Sequence, residues 1–190
     1  MDIRKFFFSN RSYTPIPLAL LIIYNADPIW HLLPIGAFLL AAGEWLRLNA
    51  VRYAGGATRT MKVGAPSLCT SGPYAYVRNP LYVGNMIIYT GIAFLAGGQA
   101  LWFMLVLTWL FFGVQYGLIV HLEEETLDKL FGSDYATYKE FIPALIPRFT
   151  PWSGRDDREP ASWRKTFKTE KRTLQNILFI LIILWLRVTI

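Results

Sequence analysis

The chain has 190 residues, enough for one domain, or for one domain with an appendage. More than half of the residues are hydrophobic (54%) and only 17% are charged, and long uncharged runs exclude an ordinary soluble domain. The net charge of +6 does not call for nucleic acid, because Lys and Arg of membrane proteins gather in cytoplasmic loops against anionic headgroups; the single cysteine, Cys69, excludes an internal disulfide and a Cys-based zinc cluster.

Five apolar segments follow in order. The first covers residues 14–24 and is broken by Asn25, Asp27 and Pro28. It is short and contains Pro15 and Pro17, so it is either tilted, set in a locally thinned bilayer, or half-inserted. The others cover residues 29–48, 81–96, 100–120 and 174–190. A helix rises 1.5 Å per residue and needs ~20 residues to cross the hydrocarbon. The fourth segment meets that length, and the second and third nearly do. The expected fold is therefore all-α, a polytopic integral membrane protein with about five membrane helices and a small cytoplasmic cofactor-binding face.

Gly97-Gly98-Gln99 leaves room only for a tight turn, so segments three and four should form an antiparallel hairpin. Residues 25–28 should join the first two segments in the same way. With both turns outside, the N-terminus, residues 47–78 and residues 121–172 face the cytoplasm, and of the Lys and Arg residues only Arg187 lies outside. The positive-inside rule favours that orientation. The location expected is the cell (inner) membrane, with the active site cytoplasmic. Residues 52–77, rich in Gly, Ser, Thr and Pro, read as a loop. Residues 123–141 carry Leu127, Leu130, Phe131, Tyr135, Tyr138 and Phe141 at helical spacing, a face suited to the interface. The division expected is a membrane core over 1–152, a charged linker over 153–173 and a last hydrophobic helix over 174–190.

Two polar clusters punctuate this pattern. Gly72-Pro73-Tyr74-Ala75-Tyr76-Val77-Arg78-Asn79-Pro80-Leu81-Tyr82-Val83-Gly84-Asn85 is turn-rich and opens directly into the third segment. Pro80 suits a first helical turn, where its missing N–H is not needed. Glu123-Glu124-Glu125 lies at the far end of the fourth segment, and the hairpin brings the two clusters to one side of the membrane. Each residue also has a plainer reading. The glutamates suit a solvated helix end, Arg78 can snorkel to headgroups, and Tyr74, Tyr76 and Tyr82 fit an aromatic belt. His121 reads as an interfacial helix-end histidine. His31 and Glu44, ionisable within a span, are functional candidates or end residues.

The combination is more specific than its parts. Gly-Pro-Tyr-x-x-x-Arg-Asn-Pro-x-Tyr-x-Gly-Asn at 72–85 is followed by Glu-Glu-x-x-Leu-x-x-x-Phe-Gly-x-x-Tyr-x-x-Tyr at 123–138 and Ile-Pro-Arg-Phe-x-Pro at 146–151. Over residues 72–152 the chain resembles the isoprenylcysteine carboxyl methyltransferase family and its phospholipid methyltransferase relatives. The resemblance implies a multi-span enzyme using S-adenosylmethionine, which fits the lack of any strand–GxGxxG–helix pattern. It implies cofactor contacts from Gly72, Tyr74, Arg78, Asn79, Pro80, Tyr82, Gly84, Glu123 and Glu124, with the site spread over 72–85 and 121–148. The carboxylates suit an ammonium and ribose hydroxyls, Arg78 suits a carboxylate, and tyrosine faces suit a sulfonium. The family commonly has Arg-His-Pro where this chain has Arg78-Asn79-Pro80, and Asn carries no proton at neutral pH.

The resemblance also implies a methyl acceptor from the bilayer. A carboxylate acceptor needs desolvation and an orienting cation, for which Arg148 stands ready; an amine must lose a proton, for which Glu124 or His121 would serve. Carboxyl O-methylation of a prenylated or otherwise lipidic acid is the leading expectation. N-methylation of a phospholipid headgroup comes second, and a non-catalytic membrane protein or an NADPH-dependent reductase relative third. No metal and no nucleic acid are expected, and the sequence sets neither the acceptor nor the oligomeric state.

Overall fold

The computed structural model describes residues 2–55 and 63–189; residues 56–62 of the expected 52–77 loop lie outside the described residues. The described residues form six α-helices: α1 (Ile3–Asn10), α2 (Ile16–Tyr24), α3 (Leu33–Ala54), α4 (Pro80–Ala96), α5 (Leu101–Phe141) and α6 (Trp163–Thr189). Asp2 caps α1 by accepting from the Arg4 amide at 3.0 Å. Pro80 sits at the first position of α4, and Gly97, at φ +62°, terminates it.

The expectation of about five spans is met only in part. α5 and α6 are long and apolar enough to cross a membrane, whereas α4, apolar throughout, has 17 residues and α2 only 9. α3 has 22 residues, but Glu44, Arg47 and Asn49 interrupt its apolar run. Two boundaries also move. α5 continues without a break through the glutamates, and its one non-helical residue is Gly132, at φ +50°. α6 begins at Trp163, inside the stretch expected as a charged linker, because Lys, Arg and Glu are good helix formers whatever their hydropathy.

α3 and α4 pack most closely. Gly36 and Gly43 of α3, seven residues apart, face Gly91 and Gly84 of α4, also seven apart. A Cβ at Gly43 would lie 2.8 Å from the Gly84 carbonyl oxygen, and one at Gly91 2.7 Å from the Leu40 amide nitrogen, so the two backbones touch. Phe8, Ile22, Ile92, Phe112, Tyr116 and Leu184 belong to the main core. A satellite core forms from Tyr135, Tyr138 and Ile142, with Leu68 and Trp152 against it.

The two short turns meet at one end, where the Asp27 amide donates to the Ala96 carbonyl at 2.8 Å. The polar clusters gather at the other. There the strap between α5 and α6 crosses the loop before α4 and the end of α3: Arg158 Nη2 donates to Ser67 Oγ and to the Leu68 carbonyl, each at 3.0 Å, and the Ala161 amide donates to the Arg52 carbonyl of α3 at 2.7 Å.

Candidate functional site

A cavity of about 330 Å³ opens where the loop before α4 meets α5. The chain enters it through a 3-10 turn at Gly72–Ala75. Gly72, at φ +58°, lies so close to the Tyr53 ring that a Cβ would stand 2.3 Å from it. Tyr74 then lines the cavity, and its carbonyl accepts from the Tyr138 hydroxyl at 2.7 Å.

Arg78 ties three pieces of chain together. Its Nη2 and Nε donate to one oxygen of Glu124 at 2.7 and 3.2 Å, while Nη1 donates to the carbonyls of Lys139, at 3.1 Å, and Ile142. Its backbone amide donates to the Pro143 carbonyl at 2.9 Å. Asn79 gives both its backbone amide and its Nδ2 to the Ala144 carbonyl, at 3.2 and 3.1 Å. Arg78 and Asn79 thus bolt the start of α4 to the end of α5 while still lining the cavity. Pro80, buried, orients the first turn of α4 so that Tyr82 faces inward.

The Tyr82 hydroxyl donates to the two Glu123 oxygens at 3.1 and 3.0 Å. Its ring stacks on Tyr116, centroids 4.3 Å apart, and Tyr116 stacks on Phe112 at 5.1 Å. This aromatic wall runs from the carboxylates toward the apolar part of α5. Glu123 lies beyond that apolar part, which ends at Val120. Burial pushes its carboxyl up to about 7, against the opposing pull of the Tyr82 hydroxyl and Arg11. The folded protein therefore holds this proton more tightly than the unfolded chain, whose glutamates titrate near 4.5. Stability should fall as pH rises from about 4.5 to about 7 and level off above that window. Thermal midpoints measured across this range should show the slope in the parent and lose most of it in Glu123→Gln; equal slopes would place the titration elsewhere.

Other expected site residues lie apart from the cavity lining. Gly84 packs against α3, where a Cβ would meet Arg47 Cγ at 2.5 Å. The His121 side chain is 67% exposed and its Nε2 lies 3.2 Å from Glu125, which also accepts from Arg4 Nη1 at 2.6 Å. That cluster faces outward and fastens α1 to α5. Arg148 donates through Nη1 to the Phe141 carbonyl at 3.1 Å, and its amide donates to the Tyr76 carbonyl at 3.0 Å. His31 belongs to the 3-10 turn before α3, next to the turn that meets α4's far end.

Sequence reasoning missed a second polar knot. Arg47 Nη1 donates to Asn85 Oδ1 at 2.6 Å, and Nη2 to Glu170 Oε2 at 2.6 Å and Thr173 Oγ1 at 3.2 Å. Asn85 Nδ2 passes the chain on to the Tyr116 hydroxyl at 2.8 Å, and Glu44 lies 3.7 Å from Arg47 Nε. The available signal was an arginine and a glutamate inside the apolar second segment; Glu44 drew notice and Arg47 did not. Among the described residues no group of His, Cys, Asp and Glu is arranged to hold a metal.

Known proteins give this geometry a context. Protein-S-isoprenylcysteine O-methyltransferase of Schizosaccharomyces pombe is 36% identical over 114 residues, covering 57% of this chain and 46% of that protein. Methanethiol S-methyltransferase 2 of Bradyrhizobium diazoefficiens is 26% identical over 147 residues, 70% of this chain and 54% of its own. Protein-S-isoprenylcysteine O-methyltransferase B of Arabidopsis thaliana is 28% identical over 123 residues, 62% of this chain and 60% of its own. The chain spans about half the length of the curated relatives it matches. No solved structure matches it. The family model described as phospholipid methyltransferase, a membrane-embedded group that uses S-adenosylmethionine, matches residues 32–134. That match covers over half of the chain and includes the loop, the start of α4 and the two glutamates, Glu123 and Glu124, built into the cavity: the protein belongs to the phospholipid methyltransferase family.

Proposed function

We propose that the chain is an S-adenosylmethionine-dependent membrane methyltransferase whose cavity takes the cofactor at the Tyr82–Glu123 end. The observation that carries this reading is the Glu123 carboxylate, set inside a cavity with a stacked aromatic wall and the Tyr82 hydroxyl as its hydrogen-bonding neighbour. That donor set fits the group: a carboxylate for an ammonium or hydroxyl, and ring faces for a sulfonium. When bound, S-adenosylmethionine supplies an activated methyl group. The protein's part is to bind, to align and to exclude water. Arg78 acts in this scheme mainly by holding Glu124 and the loops in place, since its donors are engaged within the protein.

The acceptor in the leading reading is the carboxylate of a prenylated or lipidic acid, which needs no base. The second reading, methylation of an amine headgroup, draws on Glu123, whose carboxyl near 7 is poised to take a proton. Transfer of radiolabelled methyl from S-adenosylmethionine into a total lipid extract, followed by base, separates them: methyl esters release methanol and N-methyl groups do not. The expected result is base-labile label, together with binding of S-adenosylhomocysteine but not NADPH. Absence of both binding and label would overturn the reading.

The site is proposed to face the cytoplasm. Single cysteines at Gln99 and Ser162 in a Cys69→Ser background test this. In intact cells Gln99→Cys should react with an impermeant maleimide and Ser162→Cys should stay protected; the reverse pattern would invert the topology.

A further inference from the structure

α6 lies outside the matched stretch 32–134, yet it lines the cavity. Its inward stripe is Thr166, Glu170, Thr173, Ile177, Ile180 and Leu184, spaced four, three, four, three and four residues apart, as one helix face requires. Glu170, 1% exposed, and Thr173 dock this stripe on Arg47 of α3. Below that polar anchor the stripe turns apolar. Ile177 and Ile180 line the cavity from one side, and Ile88, Ile92 and Phe112 of α4 and α5 line it too. Phe179, Ile182 and Trp185, on other faces of α6, are exposed. The cavity thus joins a polar end, at Tyr82 and Glu123, to an apolar end lined by α4, α5 and α6. Its volume of about 330 Å³ lies at the small end for ligand pockets, so beside a cofactor at the polar end there is room for one slender chain and not for a two-chain phospholipid.

We infer that α6 is the acceptor wall of the cavity: Ile177 and Ile180 hold the alkyl chain of a single-chain amphiphilic acid whose carboxyl end reaches the Tyr82–Glu123 region. This rests on the methyltransferase reading only in calling that amphiphile the methyl acceptor. The specificity for chain length then resides in a helix that the family match does not include. A bulky side chain at Ile180 shortens the space without touching the polar end, and a cut before α6 removes the wall altogether.

A photoreactive probe tests the inference without turnover. The full-length protein in phosphatidylcholine nanodiscs is irradiated with a hexadecanoic acid bearing a diazirine near its tail, and adducts are mapped by mass spectrometry. Adducts on Ile177, Ile180, Ile88 and Ile92 should fall at least tenfold with excess unlabelled hexadecanoic acid, whereas those on Phe179, Ile182 and Trp185 should not respond. Ile180→Trp should abolish the competable adducts and leave S-adenosylhomocysteine affinity within twofold. Labelling insensitive to competitor at every position, or competable adducts that persist in Ile180→Trp, would overturn the wall. Competable adducts in a protein that does not bind S-adenosylhomocysteine would keep the wall and remove the methyltransferase reading. Binding of S-adenosylhomocysteine without competable adducts would do the opposite.

Discussion

Replacing Gly43 or Gly91 by valine is expected to lower the thermal midpoint by roughly 2–12 °C, from an overpacking cost of about 1–3 kcal/mol and a shift of about 2–4 °C per kcal/mol for a chain of this size. The reason is geometric. The atoms that a new Cβ would meet at Gly43 include the Gly84 carbonyl at 2.8 Å and the Ile88 amide nitrogen at 2.9 Å; at Gly91 they include the Gly36 carbonyl at 2.8 Å. Backbone atoms do not swing aside as a flexible side chain does, so the helices must separate. Separation would carry Arg47 away from Asn85, since the two sit on the facing helices. Gly113 and Gly117 of α5 provide the control: a Cβ at either meets nothing within 4 Å. Alanine there should hold or slightly raise the midpoint, because glycine costs a helix interior up to about 1 kcal/mol relative to alanine. Following tryptophan emission during heating would report both effects. Equal midpoints for Gly43→Val and Gly117→Ala would show that the α3–α4 contact does not limit stability.

Arg78→Ala should weaken both the fold and cofactor binding, and Glu123→Gln binding alone. The Arg78 side chain is only 12% exposed, and its loss strands the Glu124 carboxylate and the carbonyls of Lys139 and Ile142. Hydrogen bonds to charged groups are worth about 1.5–3 kcal/mol, so the unliganded midpoint should drop by roughly 3–12 °C. Lysine should not restore it, because an ammonium lacks the planar fork that spans three acceptors. Glu123 has Tyr82 as its protein hydrogen-bond donor and faces the cavity, so its amide variant should fold normally. Its affinity for S-adenosylhomocysteine should fall roughly ten- to a hundredfold, the loss of one charge-assisted contact. Calorimetric titration beside thermal scans separates the two. An Arg78→Ala protein with the parent's midpoint would mean that the bolt between α4 and α5 carries no load.

Those residues differ in how far the sequence announced them. Pro80, Gly97 and the Gly97-Gly98-Gln99 turn were legible because proline and glycine act locally on φ and on hydrogen bonding, and α4 runs between them as expected. The meeting of Arg78, Tyr82, Glu123 and Glu124 was legible as well, since a tight hairpin leaves its ends no other place to go. The extent of α5 and α6 was not. Hydropathy ends where charges begin, but helix propensity does not, so Glu123–Glu125 and the cations after Trp163 continue as helix. The Arg47–Glu170 contact joins residues 123 apart, and no local pattern encodes such a pairing. His121 and Arg148 were expected near the chemistry from their neighbours in sequence. Helical rotation turns His121 outward, and the extended chain after Ile142 points Arg148 back to Phe141.

The continuity of α5 would make bilayer thickness felt at the cavity. From Leu101 to Gly132 it is an unbroken rod of about 45 Å, half again the thickness of the hydrocarbon. A membrane thinner than its apolar part tilts such a rod, and tilt displaces the end that projects beyond the lipid. Glu123 and Glu124 ride on that end, while Tyr82 belongs to α4, which its glycines lock to α3, and Arg78 stands just before it. Where α5 crosses the membrane, lipid chain length would thereby load the Arg78–Glu124 contact that joins the two halves of the cavity, as a lever loads its hinge.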